Sequence, residues 1–297
     1  PIGRFQGGLA ARTAPQLGAV AVRAAGARAG VDPAMVELCI MGNVLPAGLG
    51  QNPARQAGMG AGLPSSVGGL TVNKVCGSGL QAVMLAAQAI RCGDAELMAA
   101  GGMESMTNAP YLLPDARAGS RLGHARMLDS LVLDGLWCPF CDWHMGLAAE
   151  HIAKAHGVTR VDMDAYAAES QRRAAAAQAA GFFDREIVAV DVADRGGEKR
   201  GETVKFAKDE GIRADSTAEK LARLKPAFDP SGAVTAGNSS TLNDGAAAVV
   251  VCSAEKAREL GKKPLALIVA YGSAGVEPKE IFYAPVPATE KVLAKAG

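Results

Sequence analysis

The first hundred residues alternate between apolar stretches of two lengths, and this alternation predicts an α/β unit. Residues 14–30 form a long apolar run that closes on a glycine, which is typical of a helix. Residues 36–48 begin as a short apolar run and turn at proline and glycine, which predicts a buried strand. Residues 80–90 and 96–100 repeat the two patterns as helix and strand. This rhythm indicates a mostly parallel sheet with helices packed on it.

The pattern changes over residues 115–230, where charged residues become denser and helical periodicity dominates. Residues 162–181 predict a strong helix that ends at glycine. Residues 189–213 predict a polar, exposed β-hairpin or loop. The earlier pattern returns over residues 234–261 as a buried strand followed by a helix, and residues 264–275 predict one more strand.

Composition excludes several classes of protein. A chain of 297 residues that is 49% hydrophobic can bury a sizeable core, but only 4% of it is aromatic, so the core must be built from small aliphatic residues. The net charge of +1 lacks the basic excess of a protein that binds nucleic acid. No apolar run approaches the roughly 20 residues of a membrane span, so we expect no membrane partner.

The six cysteines have no regular spacing that would suggest a disulfide framework. They are typical of reduced thiols, and we therefore expect a cytoplasmic location. Two of them, Cys39 and Cys252, lie inside apolar strand patterns, and free cysteines are among the most often buried residues. We interpret both as core residues.

Cys76 lies where a strand pattern gives way to the start of a helix, and two glycines, Gly77 and Gly79, follow it closely. A helix N-terminus carries unpaired N–H groups and a partial positive charge, which favours a thiolate. The same N–H groups can hold the oxygen of an acyl group bound to sulfur. The glycines leave room for a substrate. This pattern indicates a nucleophile elbow with sulfur in place of oxygen.

Several long motifs give a family resemblance. The segments VNKVCGSGLQAV, GGMESM and GNSSTLNDGAAA, in this order, closely resemble the thiolase family, as do PIGRFQGGLA and GNVLPAGLGQNPARQ. The segment RLGHARMLDSLVLDGLW, followed by WHMG, is most similar to the branch that interconverts acetyl-CoA and acetoacetyl-CoA. The resemblance covers essentially the whole chain. It implies a layered αβαβα fold with a mixed, mostly parallel sheet and an inserted loop domain.

The resemblance also implies a reaction and a role for Cys76. This cysteine would take an acyl group from acyl-CoA as a thioester, and the carbanion of a second acyl-CoA would then attack it. The product is a 3-ketoacyl-CoA, and free CoA reverses the reaction, with ping-pong kinetics in both directions. CoA thioesters are the substrates; we expect no further cofactor, no metal, and a homodimer or homotetramer.

The resemblance implies a set of CoA-binding residues in two segments and one loop. Residue 213 would face the adenine and phosphate end, and the others would line the pantetheine side. The set is Leu136, His144, Met145, Arg213, Leu224, Phe228, Ala236, Ser240 and Leu242.

Three catalytic segments of the family are absent from the 297 residues: Asn-Glu-Ala-Phe, Gly-His-Pro and Cys-x-Gly-Gly-Gly. In the family they supply an oxyanion-hole asparagine, the histidine that activates the nucleophile, and the cysteine that acts as acid and base. We therefore expect the chain to be cut at both ends, with an incomplete second half, and to be poorly active alone.

The pattern and the resemblance together predict four segments. Residues 1–114 would be the first part of an N-terminal core, and residues 115–230 an inserted CoA-binding loop domain. Residues 231–262 would close the core, and residues 263–297 would begin a C-terminal domain.

Other functions stay open on the sequence. The chain could be a thiolase for longer 3-ketoacyl-CoA substrates, or a non-catalytic CoA- or partner-binding scaffold. A ketoacyl synthase shares the cysteine at a helix start but has no need of a CoA-clamping insertion. The pair Cys138 and Cys141 could be a redox pair or half of a zinc site, but no second ligand pair has zinc spacing, so we interpret them as two loop thiols.

Overall fold

The computed structural model describes residues 1–193 and 202–297. Its strands are β1 (Gly3–Arg4), β2 (Leu38–Gly42), β3 (Gly68–Val72), β4 (Leu97–Ser105), β5 (Tyr111–Leu112), β6 (Leu128–Asp129), β7 (Trp137–Cys138), β8 (Trp143–His144), β9 (Val190–Ala193), β10 (Thr203–Phe206) and β11 (Asn243–Cys252). Its α-helices are α1 (Ala14–Ala29), α2 (Pro53–Ala61), α3 (Ser78–Cys92), α4 (Met145–Ala155), α5 (Arg160–Ala179), α6 (Ala218–Ala222), α7 (Ala254–Glu259) and α8 (Pro285–Ala296). Short 3₁₀ turns occupy Pro33–Met35, Met106–Asn108, Pro114–Ala116 and Pro278–Tyr283, and a π-helical turn occupies Leu131–Leu136.

These elements form two compact units. The first unit comprises Pro1–Gly135, Ile187–Glu210 and Leu242–Leu267. The second unit comprises Leu136–Glu186, Gly211–Thr241 and Ile268–Gly297. The predicted boundaries at residues 114, 230 and 262 stay a prediction.

The first unit contains a five-stranded sheet in the order β1-β11-β4-β2-β3. Strand β2 pairs in parallel with β3 and β4, whereas β11 pairs antiparallel with β4 and β1. The predicted α/β class and the mixed sheet are confirmed. The strand and helix periodicities before residue 105 correspond to β2, α3 and β4, and the glycine end of α1 is Gly30 in the left-handed conformation.

Helices cover both faces of this sheet because the central strands are apolar on both sides. On one face, Cys39 and Met41 of β2 join a core that includes Ala54 and Ala57 of α2. On the other face, Ile40 packs with a core that includes residues of α3. The core consists largely of alanines and small aliphatic residues, as the low aromatic content predicts. A Cβ added to Gly18 of α1 would lie 2.5 Å from Met103 Sδ, which shows how closely this helix approaches β4.

The predicted hairpin within residues 189–213 forms as β9 and β10, paired antiparallel. Its tip lies outside the described residues. The expectation that it is exposed is wrong for one face, because Val190 and Val192 are buried in a cluster with Leu9 and Leu17. Side chains alternate along β9, so the valines point inward and Asp191 points outward. The sequence prediction treated the whole segment as polar and overlooked this alternation.

The strand predicted over residues 264–275 does not form. Leu265 and Leu267 are exposed, with relative accessibilities of 106% and 78%. A strand needs a neighbouring strand for its backbone hydrogen bonds, and β-forming residues alone do not supply one.

Among the described residues, none of the helices is long and apolar enough to cross a bilayer.

Candidate active site

Cys76 lies in the first unit, two residues before α3 and four residues after the end of β3, and its side chain is exposed. A tight turn joins the strand to the helix. The Gly77 N–H donates to the Lys74 carbonyl oxygen at 3.1 Å, and the Ser78 N–H donates to the Val75 carbonyl oxygen at 3.1 Å. The predicted position of Cys76 at a strand-to-helix junction therefore matches the structure.

Ser78 holds this turn from inside the protein. Its side chain is buried, and its Oγ accepts the Lys74 N–H at 2.8 Å and donates to the Val75 carbonyl oxygen at 2.5 Å. The Val75 N–H donates to Asn73 Oδ1 at 2.9 Å. The backbone of Lys74, Val75 and Gly77 is thus held by hydrogen bonds on both sides of Cys76.

Val75, immediately before Cys76, has a φ of 50°. A β-branched residue in the left-handed region is an outlier, because its Cβ crowds the neighbouring carbonyl oxygen. Strain of this kind is concentrated at functional sites, where the surrounding hydrogen bonds maintain it. The glycine-based pattern that indicated the elbow gave no sign of it, since valine is the residue least expected there.

Glycines let the start of α3 rest directly on the sheet. A Cβ added to Gly42, the last residue of β2, would lie 2.5 Å from the Ser78 carbonyl carbon and 2.6 Å from the Gly79 nitrogen. A Cβ on Gly102 of β4 would lie 3.1 Å from the Gly79 Cα. The close approach therefore depends on the sheet glycines as well as on the glycines after Cys76 that the sequence singled out.

Glu104, at the end of β4, fixes the loop that follows Gly42. Its carboxylate accepts the Val44 N–H at 2.8 Å, the Leu45 N–H at 3.1 Å and Asn43 Nδ2 at 2.7 Å. Burial raises the pKa of Glu104, and these three donors act in the opposite direction. Sequence reasoning read GGMESM only as a family motif and missed this role, which a lone acidic residue after an apolar strand could have suggested.

Helix α3 begins two residues after Cys76. Its cap residue, Gly77, has no side chain that could accept the first N–H groups. The partial positive charge at the start of this 15-residue helix therefore lies close to Cys76 in sequence, without a capping side chain between them. Cys39 is different: it is buried, and burial raises its pKa to about 11. Burial also raises the pKa of Cys252, which is consistent with a core role for both.

In the second unit, His144 is the N-cap of α4. Its Nδ1 accepts the Gly146 N–H at 3.0 Å, so the neutral ring carries its proton on Nε2. The ring stacks on Phe228, with centroids 4.9 Å apart, and burial lowers the pKa of His144. A side chain at Gly146 would collide with the Phe228 ring. Two predicted CoA-binding residues are therefore in direct contact.

Two more of the predicted residues flank a short hairpin. Trp137 of β7 pairs with His144 of β8, so Leu136 and Met145 lie one residue beyond this pair on the two strands. Both are half-buried.

The segment that contains Leu224 and Phe228 is held from two sides. Glu150 of α4 accepts the Ala233 N–H at 2.9 Å and the Val234 N–H at 2.7 Å. Asp164 of α5 accepts Asn238 Nδ2 at 2.9 Å.

Arg160 and Asp164 complete this anchor. Arg160 Nε lies 2.7 Å from Asp164 Oδ2, and Arg160 Nη2 donates to the carbonyl oxygens of Leu221 and Leu224 at 2.7 and 2.9 Å. Asp164 is buried. Sequence reasoning missed this pair because the predicted helix began at residue 162, whereas α5 begins at Arg160. With the correct start, the spacing of four residues is that of an ion pair on a helix.

The remaining predicted residues have fewer neighbours. The Arg213 backbone N–H donates to Gln171 Oε1 at 2.7 Å, and its side chain is exposed. Ala236 and Ser240 are also exposed. Leu242 belongs to the first unit, where its carbonyl oxygen accepts the Phe5 N–H at 3.0 Å.

Comparison with known proteins gives one family. The family model described as the thiolase N-terminal domain matches residues 1–255. A protein of Cupriavidus necator named acetyl-CoA acetyltransferase is 54% identical over 295 residues, which is 99% of this chain and 74% of that protein. Proteins of the same name in Pseudomonas aeruginosa and Escherichia coli are 53% and 52% identical over the whole of this chain and 74% of their own length. These matches give no support to the expectation that both ends are cut, because they cover nearly all of this chain.

Proposed function

This chain belongs to the thiolase family, and we propose that it condenses two acetyl-CoA molecules to acetoacetyl-CoA and catalyses the reverse thiolysis. Cys76 is the nucleophile and carries the acetyl group as a thioester between the two half-reactions. The relatives named acetyl-CoA acetyltransferase support the acetyl specificity.

The position of Cys76 is the observation that supports this function most strongly. Its thiol is exposed, a strained residue precedes it, and the uncapped N-terminus of α3 follows it. In the proposal, the helix charge stabilises the oxyanion that forms when the Cys76 sulfur adds to the thioester carbonyl. Addition expels CoA as a thiolate and leaves the acetyl group on the Cys76 sulfur.

CoA and acyl-CoA are the ligands of the proposed site. His144 and Phe228 offer a stacked aromatic surface to the pantetheine arm, with Leu136, Met145 and Leu224 as apolar neighbours in the proposal. Arg213 is the proposed partner of the phosphate groups, because an exposed guanidinium binds phosphate well. Ala236, Ser240 and Leu242 complete the proposed set. A homodimer or homotetramer and a cytoplasmic location stay predictions.

Acetylation of the protein tests the proposal directly. The chain is mixed with acetyl-CoA, quenched in acid and digested with trypsin. Cys76 and Cys92 flank the same helix, are both exposed, and fall in different tryptic peptides, 75–91 and 92–117. We expect the acetyl group on the first peptide only, and its loss in Cys76→Ser but not in Cys92→Ser.

An unmodified Cys76 would overturn the proposed mechanism. If acetyl-CoA then still bound, for example with a dissociation constant measurable by calorimetry, the chain would be a CoA-binding scaffold. A larger acyl group transferred faster than acetyl would instead indicate the longer-chain thiolase.

A further inference from the structure

A short hairpin in the second unit carries two cysteines at the ends of its turn. Cys138 is the last residue of β7, and its pairing partner is Trp143 of β8. The Asp142 N–H donates to the Cys138 carbonyl oxygen at 2.9 Å, and Asp142 has a φ of 53°. Trp137 Nε1 donates to Asp142 Oδ1 at 3.1 Å. The turn is therefore closed by both backbone and side-chain hydrogen bonds.

This turn brings the two thiols together. The Cys138 sulfur accepts a hydrogen bond from the Cys141 side chain, and also accepts the backbone N–H groups of Phe140 and Cys141. The two cysteines lie three residues apart within one hairpin, and their side chains interact. A disulfide requires two cysteines whose Cα atoms are about 4.4–6.8 Å apart, and a tight hairpin can provide such an approach.

The surroundings of the two sulfurs differ. Burial raises the pKa of Cys138, but the two backbone N–H groups and the Cys141 thiol outweigh this effect, so the pKa is lowered. Burial and the neighbouring Cys138 raise the pKa of Cys141. One thiol is therefore the more acidic member of the pair, and the other donates a proton toward it.

The two thiols also differ in exposure. Cys138 is buried, whereas Cys141 is half-exposed beside Phe140, which is 81% exposed. A small molecule in solvent can therefore reach Cys141 directly, whereas the Cys138 sulfur is not accessible to it. Among the residues that the structure describes, no group of three or more histidines, cysteines or acidic residues is arranged to hold a metal ion. The pair therefore has two ligands at most, too few for the four of a structural zinc site.

We propose that Cys138 and Cys141 are a thiol–disulfide exchange site that forms a reversible disulfide with small-molecule disulfides such as oxidised glutathione. The site is separate from Cys76 and does not depend on the proposed transferase activity. The geometry of the closed turn and the contact between the two sulfurs carry the proposal.

The exchange balances in two steps. Cys138, the more acidic thiol, first releases its proton to solvent. The Cys141 thiol then passes its proton to the Cys138 thiolate as the Cys141 sulfur attacks one sulfur of the oxidant RSSR, which releases RS⁻ and leaves a mixed disulfide on Cys141. Cys138 then loses the proton, attacks the Cys141 sulfur and releases a second RS⁻. Each RS⁻ takes up one proton. The protein loses two electrons and two protons as its disulfide forms, and RSSR is reduced to two RSH.

Mass spectrometry tests this directly, because the tryptic peptide 127–154 contains Cys138 and Cys141 and no other cysteine. The Cys76→Ser chain is equilibrated with mixtures of reduced and oxidised glutathione, quenched in acid, alkylated and digested. We expect the peptide to lose two hydrogen atoms as the oxidised fraction rises, and to become fully alkylatable again in excess reduced glutathione. In Cys138→Ser, Cys141 should instead accumulate a mixed glutathione disulfide, since the resolving thiol is gone.

Cys92 is the internal control, since it is exposed and falls in another peptide. The proposal is overturned if peptide 127–154 stays fully alkylatable where Cys92 already carries glutathione. It is equally overturned if both Cys138 and Cys141 carry glutathione and no bond joins them.

Discussion

Ser78 is the side chain that holds the backbone on both sides of Cys76, since its hydroxyl bonds the Lys74 N–H and the Val75 carbonyl. The hydroxyl is buried, so neither partner would gain water in its place if it were removed. The orientation of the proposed nucleophile therefore depends on a residue that has no reactive role in the proposal.

We expect Ser78→Ala to lower the free energy of unfolding by about 1–3 kcal/mol, because two buried backbone groups lose their partner. Acetylation of Cys76 should also slow, since the turn that aims the sulfur loosens. Chemical denaturation and the acetylation time course measure the two effects. Ser66→Ala, at an exposed serine, is the control and should change neither. A normal acetylation rate in Ser78→Ala would contradict the proposed role.

His144 caps helix α4 and stacks on the Phe228 ring, and burial lowers its pKa. Its folded pKa lies below the ordinary value near 6.5, so the unfolded chain binds a proton first as the pH falls. This contribution to stability is present at neutral pH and is lost as the pH falls below about 6.5.

The variant His144→Asn isolates these effects, because asparagine is a good N-cap but does not titrate. We expect its stability to fall less than that of the wild type between pH 7 and pH 5, as followed by thermal denaturation. The KM for acetyl-CoA should rise because the stacked ring is lost. His144→Ala should lose a further ~1 kcal/mol through the missing cap. Identical pH profiles for the wild type and His144→Asn would show that the ring does not titrate in this range.

At the scale of elements, the α5 pair of Arg160 and Asp164 ties the segment from Leu221 to Asn238 to a helix. That segment contains two of the proposed CoA-binding residues, Leu224 and Phe228. Removing one partner of a buried ion pair lowers the free energy of unfolding by about 3–5 kcal/mol, because the other charge is left uncompensated.

We therefore expect Asp164→Ala to destabilise the protein by about 3 kcal/mol and to raise the KM for acetyl-CoA more than it lowers kcat. Chemical denaturation measures the loss of stability, and steady-state kinetics measure KM and kcat. Glu169→Ala is the matched control on the same helix, since Glu169 pairs with Arg172 and Arg173 at the surface and should matter little. An unchanged KM in Asp164→Ala would remove this pair from CoA binding.

Periodicity predicted the central elements well because burial on a sheet or a helix face repeats at fixed intervals. It identified α1, β2, α3, β4, α5 and β11 in the correct order. It failed where a neighbour decides the outcome. Residues 264–275 have the composition of a strand but do not form one in the structure. Val190 is buried in a cluster with Leu9 and Leu17, which are far from it in sequence.

The candidate site divides in the same way. Cys76 was predictable, because a cysteine between a strand pattern and a glycine-flanked helix start has few structural explanations. Four other features were not predictable. They are the left-handed conformation of Val75, the close approach of α3 to Gly42, and the hydrogen bonds made by Glu104 and Asp164. The approach at Gly42, the Glu104 hydrogen bonds and the bond from Asn238 to Asp164 join residues far apart in sequence, and no local spacing encodes them. The Val75 conformation is local, but no sequence rule places valine in the left-handed region.

At the scale of the whole molecule, no Gly-His-Pro occurs in the 297 residues, although the thiolase resemblance implies that this segment activates the proposed nucleophile, Cys76. A nucleophile without its base loses orders of magnitude in rate. We therefore predict that the chain is acetylated at Cys76 slowly, and that it turns over acetoacetyl-CoA at least ~10³-fold more slowly than the Escherichia coli relative under the same conditions. Rapid quench with mass spectrometry and a steady-state thiolysis assay measure the two rates. Turnover equal to that of the relative would show that the chain draws its base from its own residues.

The left-handed backbone of Val75 has a consequence for directed evolution of this protein. Asparagine accepts a φ of 50° far more readily than valine, and relief of the left-handed conformation amounts to about 1–2 kcal/mol. A library selected only for heat resistance should therefore enrich asparagine at this position. Val75 immediately precedes Cys76 in the turn, so a relaxed backbone at this position should move the sulfur. We therefore expect the selected variants to unfold at a higher temperature and to react with thioesters more slowly, as measured by thermal denaturation and the acetylation time course.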